Sequence, residues 1–144
     1  MALIGPLDDH TELANASTQT GRTLVGDTGW VTHLTITFTT TVVGPIECHF
    51  AAVHGLENGA VNVLARFRLD SANTSTEVQL FKQGFSNVMA FGSHNAYGIF
   101  NNVAAGSHTI DLQVRNANGG STGTMVGHNP GNHAADRLQV IYRG

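Results

Sequence analysis

One cysteine, Cys48, occurs in 144 residues, so no intramolecular disulfide can form and a disulfide-knit secreted scaffold is excluded. There is one lysine, Lys82, and charged residues make up only 12% of the chain, about half of the roughly 25% usual in soluble domains. The arginines are scattered apart from Arg66 and Arg68, and the formal net charge is −3. A groove that tracks a phosphate backbone needs clustered positive charge, so no nucleic-acid partner is expected. No apolar run approaches the roughly 18 residues of a membrane span. The first ten residues lack the basic start and apolar stretch of a signal peptide. The expectation is synthesis and folding in a cytoplasm, with no membrane partner. On that route the glycosylation-like triplets at Asn15 and Asn73 carry no weight.

Catalytic signatures are missing too. The sequence has no Gly-x-Ser-x-Gly elbow, no P-loop and no dinucleotide fingerprint. Its acidic residues form no adjacent pair beyond Asp8-Asp9, which leaves glycosidase-type carboxylates unsupported. Glu47 and His49 share one face of a strand, His54 follows, and His128 and His133 flank a loop near Asp136. Two same-face strand ligands and a third from a loop can hold zinc. With no cysteine pair and no His-x-x-x-His on a helix, surface or interface histidines are the better reading. Cys48 alternates with Ile46 and Phe50, which points its thiol into a core, inert. The chain is therefore expected not to be an enzyme, with no catalytic residue, cofactor or metal assigned.

What is present is strand after strand. Leu34, Ile36, Phe38 and Thr40 alternate with Thr35, Thr37 and Thr39, and a period of two with β-branched residues is a half-buried strand. Ile46, Cys48 and Phe50 form one face of the next. Val63, Ala65, Phe67 and Leu69 alternate with Leu64, Arg66 and Arg68. Arg66 and Arg68 are left either solvated or paired with Glu47 across strands. His108, Ile110, Leu112 and Val114, and then Leu138, Val140 and Tyr142, complete the strong runs. Weaker strands are placed near 23–26, 76–82, 87–91, 97–101 and 122–126. Asn58-Gly59 is a hairpin signal, and Ala105-Gly106 and Asn118-Gly119-Gly120 mark further turns. Glycine, 17 of 144, exceeds the usual ~7%, as many tight turns require. These patterns predict an all-β fold of about 8–10 antiparallel strands over residues 21–144, a sandwich or small barrel. Residues 1–20 read as an N-terminal arm, irregular or with a short helical turn capped by Asp8 or Asp9.

Three segments carry a family resemblance. They are Val103–Arg115, the closing Arg137-Leu138-Gln139-Val140-Ile141-Tyr142, and Gly44–Ala52. The first two resemble the last strands of jelly-roll heads related to complement globular heads and tumour necrosis factor, and most of all their small bacteriophage members. The third is similar to an earlier central strand of the same group. The match covers about a third of the chain in patches. The resemblance implies a jelly-roll β-sandwich that assembles as a trimer and serves as a capsid decoration (cement) protein, a head fibre or a tail-fibre tip. Fibre members carry a collagen-like or coiled-coil stalk, which this sequence lacks, so a decoration protein is the expectation.

The expected partners are then further copies of the chain and a major capsid protein, in a virion. The capsid contact is assigned to the arm through Leu7, Asp8, Asp9, His10 and Leu13. The alternative is a glycan-binding head of a tail fibre or spike, with Trp30 and Tyr97 as the stacking residues.

Overall fold

Alternation of apolar and polar side chains decides where this chain becomes strand, and two sheets follow from it. The computed structural model describes residues 11–18, 22–24, 29–56, 61–83, 91–117, 124–126 and 136–144, with side chains over 11–18, 29–51, 62–78, 95–117 and 136–144. Among the described residues there is no helix. The strands in chain order are β1 Thr11–Thr18, β2 Arg22–Leu24, β3 Val31–Thr40, β4 Gly44–Leu56, β5 Val61–Leu69, β6 Asn73–Thr74, β7 Val78–Gln83, β8 Phe91–Val103, β9 Gly106–Asn116, β10 Thr124–Val126 and β11 Asp136–Tyr142.

All pairings are antiparallel. In the first sheet β4 is central, with β8 along one edge. Its other edge is shared by β11, opposite Ile46–Ala51, and β10, opposite His54–Leu56. β1 lies outside β11, and β2 outside β10. The second sheet runs β3, β9, β5, with β7 and β6 sharing the far edge of β5. β1 lies against β3 and β7 against β8, which closes both long sides of the sandwich. With the three shortest strands set aside, the sheets read β1-β11-β4-β8 and β3-β9-β5-β7.

The inward residues of both sheets form one core. Ile46, Cys48, Phe50, Leu138 and Val140 meet Val63, Phe67, Ile110, Leu112 and Val114, all essentially inaccessible. Each such aliphatic or aromatic side chain contributes about 1.5–3 kcal/mol. Gly98 of β8 lies directly against a side chain of the second sheet. A Cβ there would stand 2.6 Å from Cδ2 of buried Phe67, so the ring rests on bare backbone.

Three expectations change. The N-terminal stretch is neither helical nor irregular over Thr11–Thr18, which pairs along β11 from Thr11 opposite Tyr142 to Thr18 opposite Asp136. A register shift between Glu12 and Ala14 breaks its alternation, which hid the strand, while Leu13, Ala14 and Ala16 pack on the core. Asp8 and Asp9 lie outside the described residues. Asn58-Gly59 also lies outside them, but the strands it joins, β4 and β5, belong to different sheets. The connection is therefore a crossover and not a hairpin, because β4 is already paired on both edges. The weak strand expected near 97–101 extends from Phe91 to Val103 along the whole of β4.

Candidate functional site

Glu47, His49 and Ala51 of β4, Asn95, Tyr97 and Ile99 of β8 and Arg137, Gln139 and Ile141 of β11 alternate with core residues and build the outer face of the first sheet. Register brings Glu47 opposite both Ile141 and Ile99, and His49 opposite Gln139 and Tyr97. Tyr97 and Ile99 are each 44% exposed. Glu47 between them is buried.

Glu47 is the organising group. Its Oε1 accepts from the Tyr97 hydroxyl at 2.9 Å and from the Arg143 guanidinium, and its Oε2 accepts from His49 Nε2 at 3.0 Å. Burial alone would raise its pKa, but the hydrogen bonds from His49, Tyr97 and Arg143 outweigh it and hold the carboxyl below its ordinary value. The Tyr97 phenol is pushed up by burial and by its bond to Glu47. His49 stands edge-on to the Tyr97 ring, centroids 5.0 Å apart. Arg143 is fixed from behind, since its backbone N–H donates to the Pro45 carbonyl at 3.0 Å. A carboxylate with every oxygen engaged and its acidity increased is a poor general acid or base near neutral pH. Its effect is mechanical, because it fixes the Tyr97 ring in one orientation on an exposed surface. A cavity of about 240 Å³ lies beside it, bounded by His49, Asn95, Tyr97, Arg137 and Gln139.

The residues singled out in the sequence separate. Tyr97 belongs to this face. Trp30 does not, because it lies under Arg66, whose neighbours Ala65 and Phe67 point into the core, and so on the outer face of the second sheet. The two aromatics therefore cannot grip one sugar together. Leu13 is half-buried and packs against the core. Leu7, Asp8, Asp9 and His10 lie outside the described residues.

Glu47 and His49 do share a strand face, hydrogen-bonded to each other. Among the described residues no group of three metal-binding side chains converges, and His128 and His133 lie outside them. Asp136 instead accepts from His33 Nε2 at 2.8 Å, both side chains buried. Sequence reasoning missed this pair, because the partners are 103 positions apart and His33 reaches inward only through a register shift between Thr32 and Leu34. Cys48 is buried with its thiol pushed up to about 12, foremost by burial and then by the Glu47 charge, as an inert core thiol requires. The pairing of Arg66 or Arg68 with Glu47 does not occur, since the arginines stand on the other sheet. Arg66 donates to Gln113 and Arg68 to the Ser71 carbonyl.

A second polar cluster occupies one end of the sandwich, beside a cavity of about 470 Å³ between the Asp70 and Ala104 turns. His108 donates from Nδ1 to Asp70 Oδ2 at 2.7 Å and from Nε2 to the Ala104 carbonyl at 2.8 Å. Comparison with protein-family models and with curated proteins finds no match to this sequence.

Proposed function

We propose that this chain is a viral structural protein, a capsid decoration protein that assembles as a homo-oligomer, a trimer, through the outer face of its first sheet. The observation that carries the reading is the pairing of two exposed apolar side chains, Tyr97 and Ile99, with a polar frame that already fixes Tyr97 in the single chain. A rigid aromatic loses little entropy when it is covered, which is what an interface anchor needs. The strand order β1-β11-β4-β8 over β3-β9-β5-β7 supports a jelly roll, in which first and last strands pair and successive strands alternate between sheets except at the central hairpin, here β5–β7. The low charge of the chain suits close contact with neutral surfaces.

The mechanism is cementing. An oligomer that spans adjacent shell subunits, with the major capsid protein as partner, stabilises them by mass action, and rupture must break many contacts together. Leu7, Asp8, Asp9 and His10, ahead of β1, carry the proposed capsid contact in the virion. Immunogold labelling of particles from a source lysate tests the assignment. Label spread over the shell supports a decoration protein, label at a tail or spike tip favours the receptor reading, and unlabelled particles overturn both.

The second reading, a glycan-binding head, is favoured by one observation, the exposed Tyr97 ring beside the cavity lined by His49, Asn95, Arg137 and Gln139.

A further inference from the structure

His49 lies on the outer face of the first sheet, among charges that are paired with one another. On its own strand, Glu47 accepts from its Nε2. From β8, the Tyr97 hydroxyl donates to the same carboxylate, and the Tyr97 ring meets the imidazole edge-on. Just after β11, the Arg143 guanidinium pairs with Glu47. On β11 itself, Arg137 lines the cavity beside His49 and pairs at 3.6 Å with Glu12 of β1. With a neutral imidazole, these two carboxylates and two guanidiniums sum to zero, although the whole chain carries −3. Like charges brought together across an interface are costly. Copies that repel one another at large therefore meet on this face without a net charge on either side, which fits a second copy of the chain as its occupant.

One member of the set changes charge near neutrality. Glu12 is held below its ordinary value first by the bond from Asn15, and Glu47, against its burial, by the bonds from His49, Tyr97 and Arg143. Both carboxylates therefore stay ionised in mild acid. The Tyr97 phenol is raised, foremost by burial, and stays neutral. Arginine keeps its charge throughout. Histidine is the side-chain type whose charge changes between about pH 5 and 8. Because the Glu47 carboxylate only accepts, His49 Nε2 carries a hydrogen in either form, and the nitrogen that gains or loses the proton is Nδ1. The His49 side chain is 42% exposed, so in the single chain water can accept from an Nδ1–H. Under a second copy that water is excluded. The charged residue lining the cavity beside His49 is Arg137, another cation. An imidazolium there is an added charge in a covered face, and covering a charge without a partner is costly.

We propose that His49 makes assembly through this face pH-dependent. With a neutral imidazole the chains associate. On proton uptake at Nδ1 each copy adds one positive charge to the face, and the chains separate. The control rests on the oligomer reading above, since without assembly through this face there is nothing to gate. Linkage sets the sign: a single chain that holds the proton more tightly than the oligomer does is favoured as pH falls. Association then weakens by up to about tenfold per pH unit for each histidine that must release its proton.

Light scattering of the full chain at micromolar concentration, at about pH 8 and about pH 5.5, tests the gate across the range in which histidine titrates. Circular dichroism checks the fold at both. The expected mass is about 46 kDa, three times 15.2 kDa, at the higher pH and 15.2 kDa at the lower. His49→Gln can still donate to Glu47 but takes up no proton, and is expected to stay assembled at both. A parent assembled equally at both pH values overturns the gate and leaves the assembly reading standing. A parent that is a single chain at both overturns the two together. Separation that accompanies loss of the folded spectrum is unfolding, and also overturns the gate. Acid dissociation of His49→Gln to the same extent as the parent overturns His49 as the sensor. If His49→Gln does not assemble at the higher pH, nuclear magnetic resonance titration of His49 in the parent decides, below and above the concentration of association. Titration curves that superimpose overturn the proposal, and a curve displaced to lower pH in the oligomer supports it.

Discussion

His108 is placed so that both ring nitrogens face oxygens that only accept, the Asp70 carboxylate and the Ala104 carbonyl. Both nitrogens can donate only in the imidazolium, so the His108 pKa is raised, chiefly by the Asp70 bond, with burial opposing it. Asp70 is lowered; burial works against the charge, and the bonds from His108 and the Thr109 backbone prevail. A raised histidine contributes stability that is complete below its unfolded value, about 6.5, and is lost as pH rises through the folded value. A lowered aspartate contributes above its unfolded value, about 3.9, and loses it as pH falls through the folded one. Together they stabilise most between roughly pH 4 and 6.5. The Tm difference between the parent and His108→Gln is therefore expected to be largest near pH 5 and to shrink by pH 8. A gap constant across that range would refute the assignment. Gly98 makes a separate prediction. Gly98→Ala drives a Cβ into the Phe67 ring, which is fully buried and has no room to retreat. The expected cost is about 1–3 kcal/mol, read from urea unfolding.

Between elements, a buried polar tie crosses the sandwich. His33 on β3 belongs to the second sheet and Asp136 at the start of β11 to the first, so their buried hydrogen bond spans the two layers. Removing Asp136 leaves the buried His33 imidazole without that acceptor, a loss of about 1–3 kcal/mol. Asp136→Ala is expected to destabilise by that amount. The double variant with His33→Leu is expected to lose clearly less than the sum of the two singles, because the orphaned imidazole is gone. Additive losses would mean that the two side chains do not act together. The strong strands were legible because their inward residues keep strict alternation: Ile110, Leu112 and Val114 on β9, and Val63, Ala65, Phe67 and Leu69 on β5. β1 was not legible, since the irregularity at Glu12–Ala14 puts Leu13, Ala14 and Ala16 all against the core. The edge position of β1 also needs only one half-buried face.

For the whole molecule, two outer faces of different character emerge. The first sheet presents Tyr97 and Ile99 over a neutralised polar frame, and the second presents Arg66, Arg68 and Arg115 with Asp111 opposite Arg68. If the first face assembles the chain as a trimer, light scattering at micromolar concentration gives a mass of about 46 kDa, three times 15.2 kDa. Ile99→Asp puts a charge on that face without touching the core, and is expected to return the mass to that of a single chain with the melting curve of the isolated fold intact. A parent chain that is already monomeric, or a variant that still assembles, would exclude this face as the interface.

By itself the sequence determined the all-β class, most strand positions and the inward side of each. These depend only on a local period of two, which burial of one face imposes on neighbouring residues. It also placed Glu47 and His49 on one face and Cys48 in the core. The tertiary structure alone decided the partners of those residues. Tyr97 and Arg143 reach Glu47 from 50 and 96 positions away, and Trp30 lies 36 residues before the arginine it stacks on. Such pairs are set by which strands lie side by side and in what register. Strand order is a property of the closed sandwich, where every edge must find a partner, and no local pattern encodes it.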